Sequence, residues 1–362
     1  MAAAGADAYL GVRRENTRYL TGFVLGEGEE KVAGTSGWFL VTPDEVVVLA
    51  DTRYAQQAAE ECPDARIADV YHDLATRWPD LVAGRRRVAA EAGFIAQSTW
   101  SLLATAMPSV DLLPIDGWIE SDRAVKEPSE VERVAAACAV ADAALTRLLP
   151  QVRPGITEAE LALALEWEMR SNGAEALAFD VACLAGPRAA LPHGSPGARP
   201  VMAGQVLLFD FGAQVGGYRS DMTRTLFVGE PVERDLAVYR LVAAAQEAAI
   251  ETLAEAATRG QSPSGRAIDS VARAVIVAGG HGPHFGHGLG HGIGLATHEL
   301  PGLGQRAADE PLPWPTVFSV EPGVYLPGQT GVRIEDLVAF DPSVGRCELL
   351  TRFPREVTVV GV

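Results

Sequence analysis

Four acidic residues stand in two segments whose glycine turns would bring them together. In "QVLLFDFGAQVGGYRSDMTRTLFVG", Asp210 and Asp221 lie on either side of Gly216-Gly217. A two-residue hairpin turn at that dipeptide sets Asp221 opposite Gly212, with Asp210 two positions along the same strand. Both aspartates then share one face of the sheet. "TVFSVEPGVYLPGQTGVRIEDLVAF" repeats the pattern, because folding about Gly328 places Glu321 directly opposite Glu335. Each like-charge contact costs about 4 kcal/mol at ~4 Å and an effective dielectric near ~20. Gathering all four acids is therefore opposed by on the order of 10 kcal/mol unless protons or cations intervene. Divalent metals answer this best, since the acids also supply the oxygen ligands such ions take. The bland alternative is four solvated surface acids. A third stretch, "HFGHGLGHGIGLATHE", residues 284–299, holds four of the seven histidines. Such a tract serves a metal site, a flexible tail or a turn-rich segment that fixes side-chain angles, and spacing alone leaves all three open.

The elements that must position these residues follow from the pattern of the chain. With 362 residues, 48% of them hydrophobic, there is room for two domains and a substantial core. Short β-like runs such as "AYLGV", "WFLVT", "EVVVLAD" and "RVAAEAG" alternate with helical ones such as "TRYAQQAAEEC" and "STWSLLATAM". This predicts an α/β layer with a mostly parallel or mixed sheet over residues 1–122. The polar stretch "ESDRAVKEPSEVER" reads as a connector into a second domain, 123–362. Ser129 with Glu132 has the form of a capping box for a helix ending at Pro150, its apolar stripe running through Val131, Val134, Cys138, Leu145 and Leu148. A second box, Thr157 with Glu160, opens a helix closing at Asn172-Gly173. From about Val181 onward β segments follow, with one more helical region at roughly 233–258. The net charge of −17 argues against general affinity for nucleic acid or anionic membrane. Cys62, Cys138, Cys183 and Cys347 form no C-x-x-C pair and read as buried thiols in a reducing compartment. No stretch has a leader's pattern or the length to span a bilayer, which points to a cytoplasmic enzyme or binding protein.

The motifs "LPHG", "FDFGAQVGGYRSDMTRT", "GHGLGHGIGLATHE", "SVEPGVY" and "GVRIED" together resemble the Xaa-Pro peptidases, the prolidase and aminopeptidase P group of the pita-bread metallopeptidases. "NTRYLTGF" and "DTRYAQQA" resemble that group's smaller leading domain, so the likeness covers nearly the whole chain. It implies an α+β protein: a C-terminal pita-bread (creatinase/aminopeptidase) domain preceded by a smaller α/β creatinase-like domain. It implies that Asp210, Asp221, His291, Glu321 and Glu335 bind two divalent ions, Mn²⁺ first, with Co²⁺ or Zn²⁺ as alternatives. The two hairpins would then belong to pseudo-symmetric halves closing on one metal pair. Glu321 resembles the general base that receives the proton of the metal-bound water, and His298 the donor to the substrate carbonyl oxygen. His193 resembles a residue of the catalytic pocket that contacts the bound peptide, His287 a pocket residue near the leaving group, and Arg333 an arginine orienting the carboxylates. Asp210 is placed for the substrate's α-amine. The expected partners are proline-containing di- or oligopeptides and a second copy of the chain, with neither nucleic acid nor membrane.

Two activities fit this resemblance: a prolidase cleaving Xaa-Pro dipeptides, which the compact chain favours, and an aminopeptidase P acting on longer peptides. A dipeptidase needs a cation for the proline carboxylate. Where prolidases commonly carry an arginine shortly after "HE-x-P", this chain has Gly302, leaving Arg306 or Arg53 as substitutes. A catalytically silent pita-bread binding module is disfavoured because all five ligand positions are present.

Overall fold

The structure, a computed structural model of the chain, describes residues 1, 4–26 and 33–361. It divides into two compact units, 1–122 and 123–362. In the first, six strands form a mixed sheet, with parallel pairing at Ala8–Gly11 against Arg87–Glu91 and antiparallel pairing at Ala8–Gly11 against Phe39–Val41. Alternate residues go to opposite faces: Leu10, Leu40 and Val88 enter one core, and Tyr9, Phe39 and Ala89 the other. Both faces of the sheet are therefore buried, as near-continuous apolar strands require. Two further strands, Arg66–Asp69 and Asp111–Ile115, lie at the sheet's edges, where weak patterning hid them in the sequence. The expected polar connector is largely helical, over Trp118–Ala124.

In the second unit a helix spans Pro128–Leu148, two residues' displacement from the expected capping box. Glu130 reaches back to the Glu127 N–H at 2.8 Å, and Pro128 fits the first helical position, where no N–H is needed. The Thr157 and Glu160 box does open the next helix, Glu158–Ser171. These two helices pack on one face of a four-stranded sheet through Leu145, Leu165, Leu207 and Phe209. Leu208, pointing the other way, joins a second core with the helices Glu233–Thr258 and Gly265–Ala278. Gly265–Ala278 corrects the expectation of a single helix in this region. Ser264 caps it by accepting from the Ala267 N–H, and Ile268, Ala272 and Ile276 supply its buried stripe. This core also receives Phe318, Val320 and Val338 from a five-stranded sheet. Cys62, Cys138 and Cys183 are buried, whereas Cys347 is only half-buried. Among the described residues no helix is long and apolar enough to cross a membrane.

Candidate metal centre

The first hairpin has the expected register. Gly216 and Gly217 both take positive φ, 57° and 81°, which a two-residue turn of this kind demands. Met222 faces Phe211 and Thr223 faces Asp210. A Cβ at Gly212 would lie 1.9 Å from the Ser220 carbonyl, so the glycine between the aspartates admits a close backbone approach. In the second hairpin Gly323 faces Arg333 and Val320 faces Asp336. Glu321 and Glu335, however, do not form a ladder pair. They sit where a five-stranded sheet gives way to the two-stranded ribbon, beside Pro322, which has no N–H to donate. Each turns its own N–H outward instead. Glu321 donates to the Leu289 carbonyl at 2.8 Å and Glu335 to the Thr223 carbonyl at 3.1 Å. The break in the ladder thus ties one glutamate to the histidine tract and the other to the first hairpin.

The histidine tract forms a short strand, Gly290–Gly292, wedged between two others. Cβ atoms at Gly290 and Gly292 would come 1.9 Å from the Ser319 carbonyl and 2.0 Å from that of Leu300. The glycines flanking His291 therefore permit tight strand packing, rather than a close approach of backbone to ligand. His291 Nε2 lies 3.3 Å from Glu321 Oε1 and 3.7 Å from Asp221 Oδ2. Ligand atoms of Asp221, His291 and Glu335 all fall within 4.8 Å of one another. The His291 Nδ1–H donates to the Gly292 carbonyl at 3.1 Å, which leaves the Nε2 lone pair facing the carboxylates.

Asp221 Oδ1 and Glu335 Oε1 are buried and accept no hydrogen bond among the described residues. Orphaned oxygens on carboxylates only 4% and 2% exposed need a positive partner, and four carboxylates with one imidazole suit a pair of divalent ions. Burial, followed by repulsion from Glu335, Asp210 and Glu321, pushes Asp221 well above the usual carboxylate range. Burial and repulsion from Glu321 do the same to Glu335. Burial likewise raises Glu321, against the opposing pull of Arg333.

Arg333 is buried and donates to Asp210 Oδ2 at 2.5 Å, to Thr223 Oγ1 at 2.9 Å and to the Tyr325 hydroxyl at 2.8 Å. Thr223 in turn donates to Glu335 Oε2 at 2.7 Å. Ser319 donates to Glu321 at 3.1 Å and accepts from the His291 N–H at 3.0 Å. Tyr325, Thr223 and Ser319 were missed in the sequence reading. The register alone locates Tyr325: Arg333 faces Gly323, and Tyr325 lies two residues along, the same diagonal as Asp221, Gly212 and Asp210.

Asp210, Asp221, His291, Glu321, Glu335 and Arg333 line a cavity of about 380 Å³ that also includes His193, His287, His298, Phe179 and Pro192. Both ring nitrogens of His287 are engaged, Nδ1 with the Gly288 carbonyl at 2.8 Å and Nε2 with the Tyr325 hydroxyl at 2.9 Å. The ring can thus serve as wall more readily than as hydrogen-bonding partner for a ligand. His298 sits 4.1 Å from His291, ring centre to ring centre, and loss of solvation followed by repulsion from His291 pushes it down to about 4. His281 and His284 lie on the turn Gly282–His284 and do not line this cavity. Of the two candidate arginines, Arg306 is exposed and lines a cleft sharing His287, Gly288 and Gly290 with the cavity. Arg53 belongs to the other unit, where Asp51 holds its guanidinium at 2.7 Å.

Comparison with known proteins places this geometry. Residues 132–342 match the model of metallopeptidase family M24, and residues 1–125 that of the creatinase/prolidase N-terminal domain. The chain is 38% identical to an Xaa-Pro dipeptidase of Pyrococcus furiosus over 67% of each chain. An Xaa-Pro dipeptidase from Bacillus anthracis has a similar solved structure, with a TM-score of 0.88 and 32% identity, covering 99% of this chain and 96% of that one. So does an X-Pro aminopeptidase from Thermotoga maritima, with a TM-score of 0.86 and 34% identity over 99% and 97% of the two chains.

Proposed function

As the chain belongs to metallopeptidase family M24, we propose that it hydrolyses the peptide bond preceding proline, as an Xaa-Pro dipeptidase with two divalent metal ions. The observation that carries this reading is the convergence of Asp221, His291 and Glu335 around orphaned carboxylate oxygens. With Asp210 and Glu321 they make a set of four acids and one imidazole, which suits Mn²⁺, with Co²⁺ or Zn²⁺ as alternatives. When bound, the ions would polarise the scissile carbonyl and make the attacking water more acidic. Glu321, one oxygen steadied by Ser319, is the base for that water. His298 is neutral at pH 7, since its pKa is about 4, and presents an N–H to the carbonyl oxygen where negative charge grows. Arg333 occupies one oxygen of Asp210, leaving the other to face both the ions and the substrate's α-amine. His193 contacts the bound peptide from the cavity wall.

Proline has no N–H for an extended-strand grip, so its ring must be held by shape. The engaged His287 ring, on the side of the cavity that adjoins the Arg306 cleft, gives such a wall. Arg306, exposed in the cleft that adjoins His287, is a cation placed for the proline carboxylate. A second reading, aminopeptidase P on longer peptides, is favoured by the cleft that continues past His287. Chelated protein reloaded with Mn²⁺ and given Ala-Pro and Ala-Pro-Ala distinguishes them. A dipeptide kcat/KM about tenfold or more above that for the tripeptide supports the dipeptidase, through the paired carboxylate. The reverse order supports the aminopeptidase, and no hydrolysis of either sinks both.

The arginine fork is open to a separate test. Lysine at position 333 cannot reach Asp210, Thr223 and Tyr325 together. Arg333→Lys is expected to weaken Mn²⁺ binding about ten- to hundredfold in calorimetry. Unchanged affinity would show that this side chain does not orient the ligands.

A further inference from the structure

We infer that the site selects the first residue of its substrate by charge, favouring lysine or arginine, with Asp180 as the selecting group. This rests on the preceding reading, in which Asp210 holds the α-amine. A second cavity, of about 620 Å³, shares Phe179, Pro192, His193 and Asp210 with the one that contains the carboxylate cluster. The amine and the side chain of an N-terminal residue leave the same carbon. With the amine on Asp210, that side chain starts at the border with the second cavity. Asp210 does not line the cleft beyond His287, so that cleft is left to the other end of the peptide.

The walls of the second cavity say which side chain fits. Leu163, Leu177, Phe179 and Val181 give an apolar lining, while Asp180 and Glu166 add carboxylates. Among the described residues no lysine or arginine lines it. Glu166 is paired with Arg170 one helical turn on, at 3.3 Å. Asp180 is exposed, follows Phe179 in the chain, and has no hydrogen bond or ion pair among the described residues. A lysine or arginine side chain combines an apolar stem with a cationic head. Its stem would run along Phe179 and Leu177 and its head would meet Asp180.

The test compares Lys-Pro, norleucine-Pro and Glu-Pro, each also as the Xaa-Pro-Ala tripeptide, at low ionic strength with the Mn²⁺-loaded enzyme. Norleucine keeps the lysine stem without its charge. A single partly exposed ion pair predicts kcat/KM for lysine about fivefold above norleucine, with glutamate lowest. Asp180→Asn should bring the lysine to norleucine ratio close to one; the residue is exposed, so the variant is expected to fold. Equal rates for lysine and norleucine in the parent enzyme, or a ratio that survives in Asp180→Asn, would overturn the assignment while leaving the Xaa-Pro reading intact. Failure to cleave any of the peptides would instead remove that reading, and this inference with it.

Discussion

Asp221→Asn is expected to lower kcat/KM by about 10³ or more, a loss of the size that goes with removing a charged group from a reacting centre, and to leave the protein binding one divalent ion in place of two. The carboxylate is 4% exposed, with one oxygen unpartnered and the other 3.7 Å from His291 Nε2. Asparagine keeps the shape, removes the charge and turns a donor toward a cation site. Loss of fold would also abolish activity, but here the two effects have opposite signs. Without metal ions the native aspartate is repelled by Glu335, Asp210 and Glu321. Removing its charge should therefore leave the metal-free variant at least as stable as the metal-free parent. Inactivity together with an unchanged or higher melting temperature identifies a ligand. Activity within tenfold of the parent, or two ions still bound by elemental analysis, would refute the assignment of Asp221.

Why these acids were visible in the sequence is a matter of period. A strand's side chains alternate with a repeat of two, and a Gly-Gly turn fixes the register, so the diagonal of Asp210 and Asp221 could be counted from the letters. Glu321 and Glu335 were placed near each other for the same reason. What counting could not show was the opening of the ladder between them, because it depends on which third strand takes each freed N–H. Pro322 was the local sign that the ladder stops, and Leu289 and Thr223 were the distant partners that decided the outcome. The helix Gly265–Ala278 was missed for a different reason. Val271, Val275, Ile276 and Val277 favour strands on propensity, and packing of Ile268, Ala272 and Ile276 into the core overrides it. Thr223 and Ser319 are common strand residues whose role exists only through the carboxylates and backbone they touch.

The same crowding of charge predicts how stability depends on metal and pH together. The gain in melting temperature on adding Mn²⁺ to chelated protein is expected to grow as pH rises from 5 to 7.5. Asp221, Glu335 and Glu321 have folded-state pKa values above the ordinary 3.8 and 4.5. Between the ordinary value and the raised one, the folded chain binds more protons than the unfolded chain, so these groups make stability fall as pH rises. Burial lowers His287, His291 and His298 below 6.5, an effect of opposite slope that ends near 6.5, where the unfolded histidines lose their protons. Comparing loaded with chelated protein at each pH separates the ligands from other titrating groups common to both forms. Cations displace the protons held by the carboxylates and need His291 neutral, so affinity rises with pH. At about 100 times the dissociation constant the stabilisation is about 2.7 kcal/mol. For a unit of this size that corresponds to a rise of roughly 5–10 °C. Differential scanning fluorimetry with EDTA or MnCl₂ at several pH values reads it directly, and Asp221→Asn should lose most of the gain. A shift that is absent, or the same at pH 5 and pH 7.5, would mean that these carboxylates do not share a metal site.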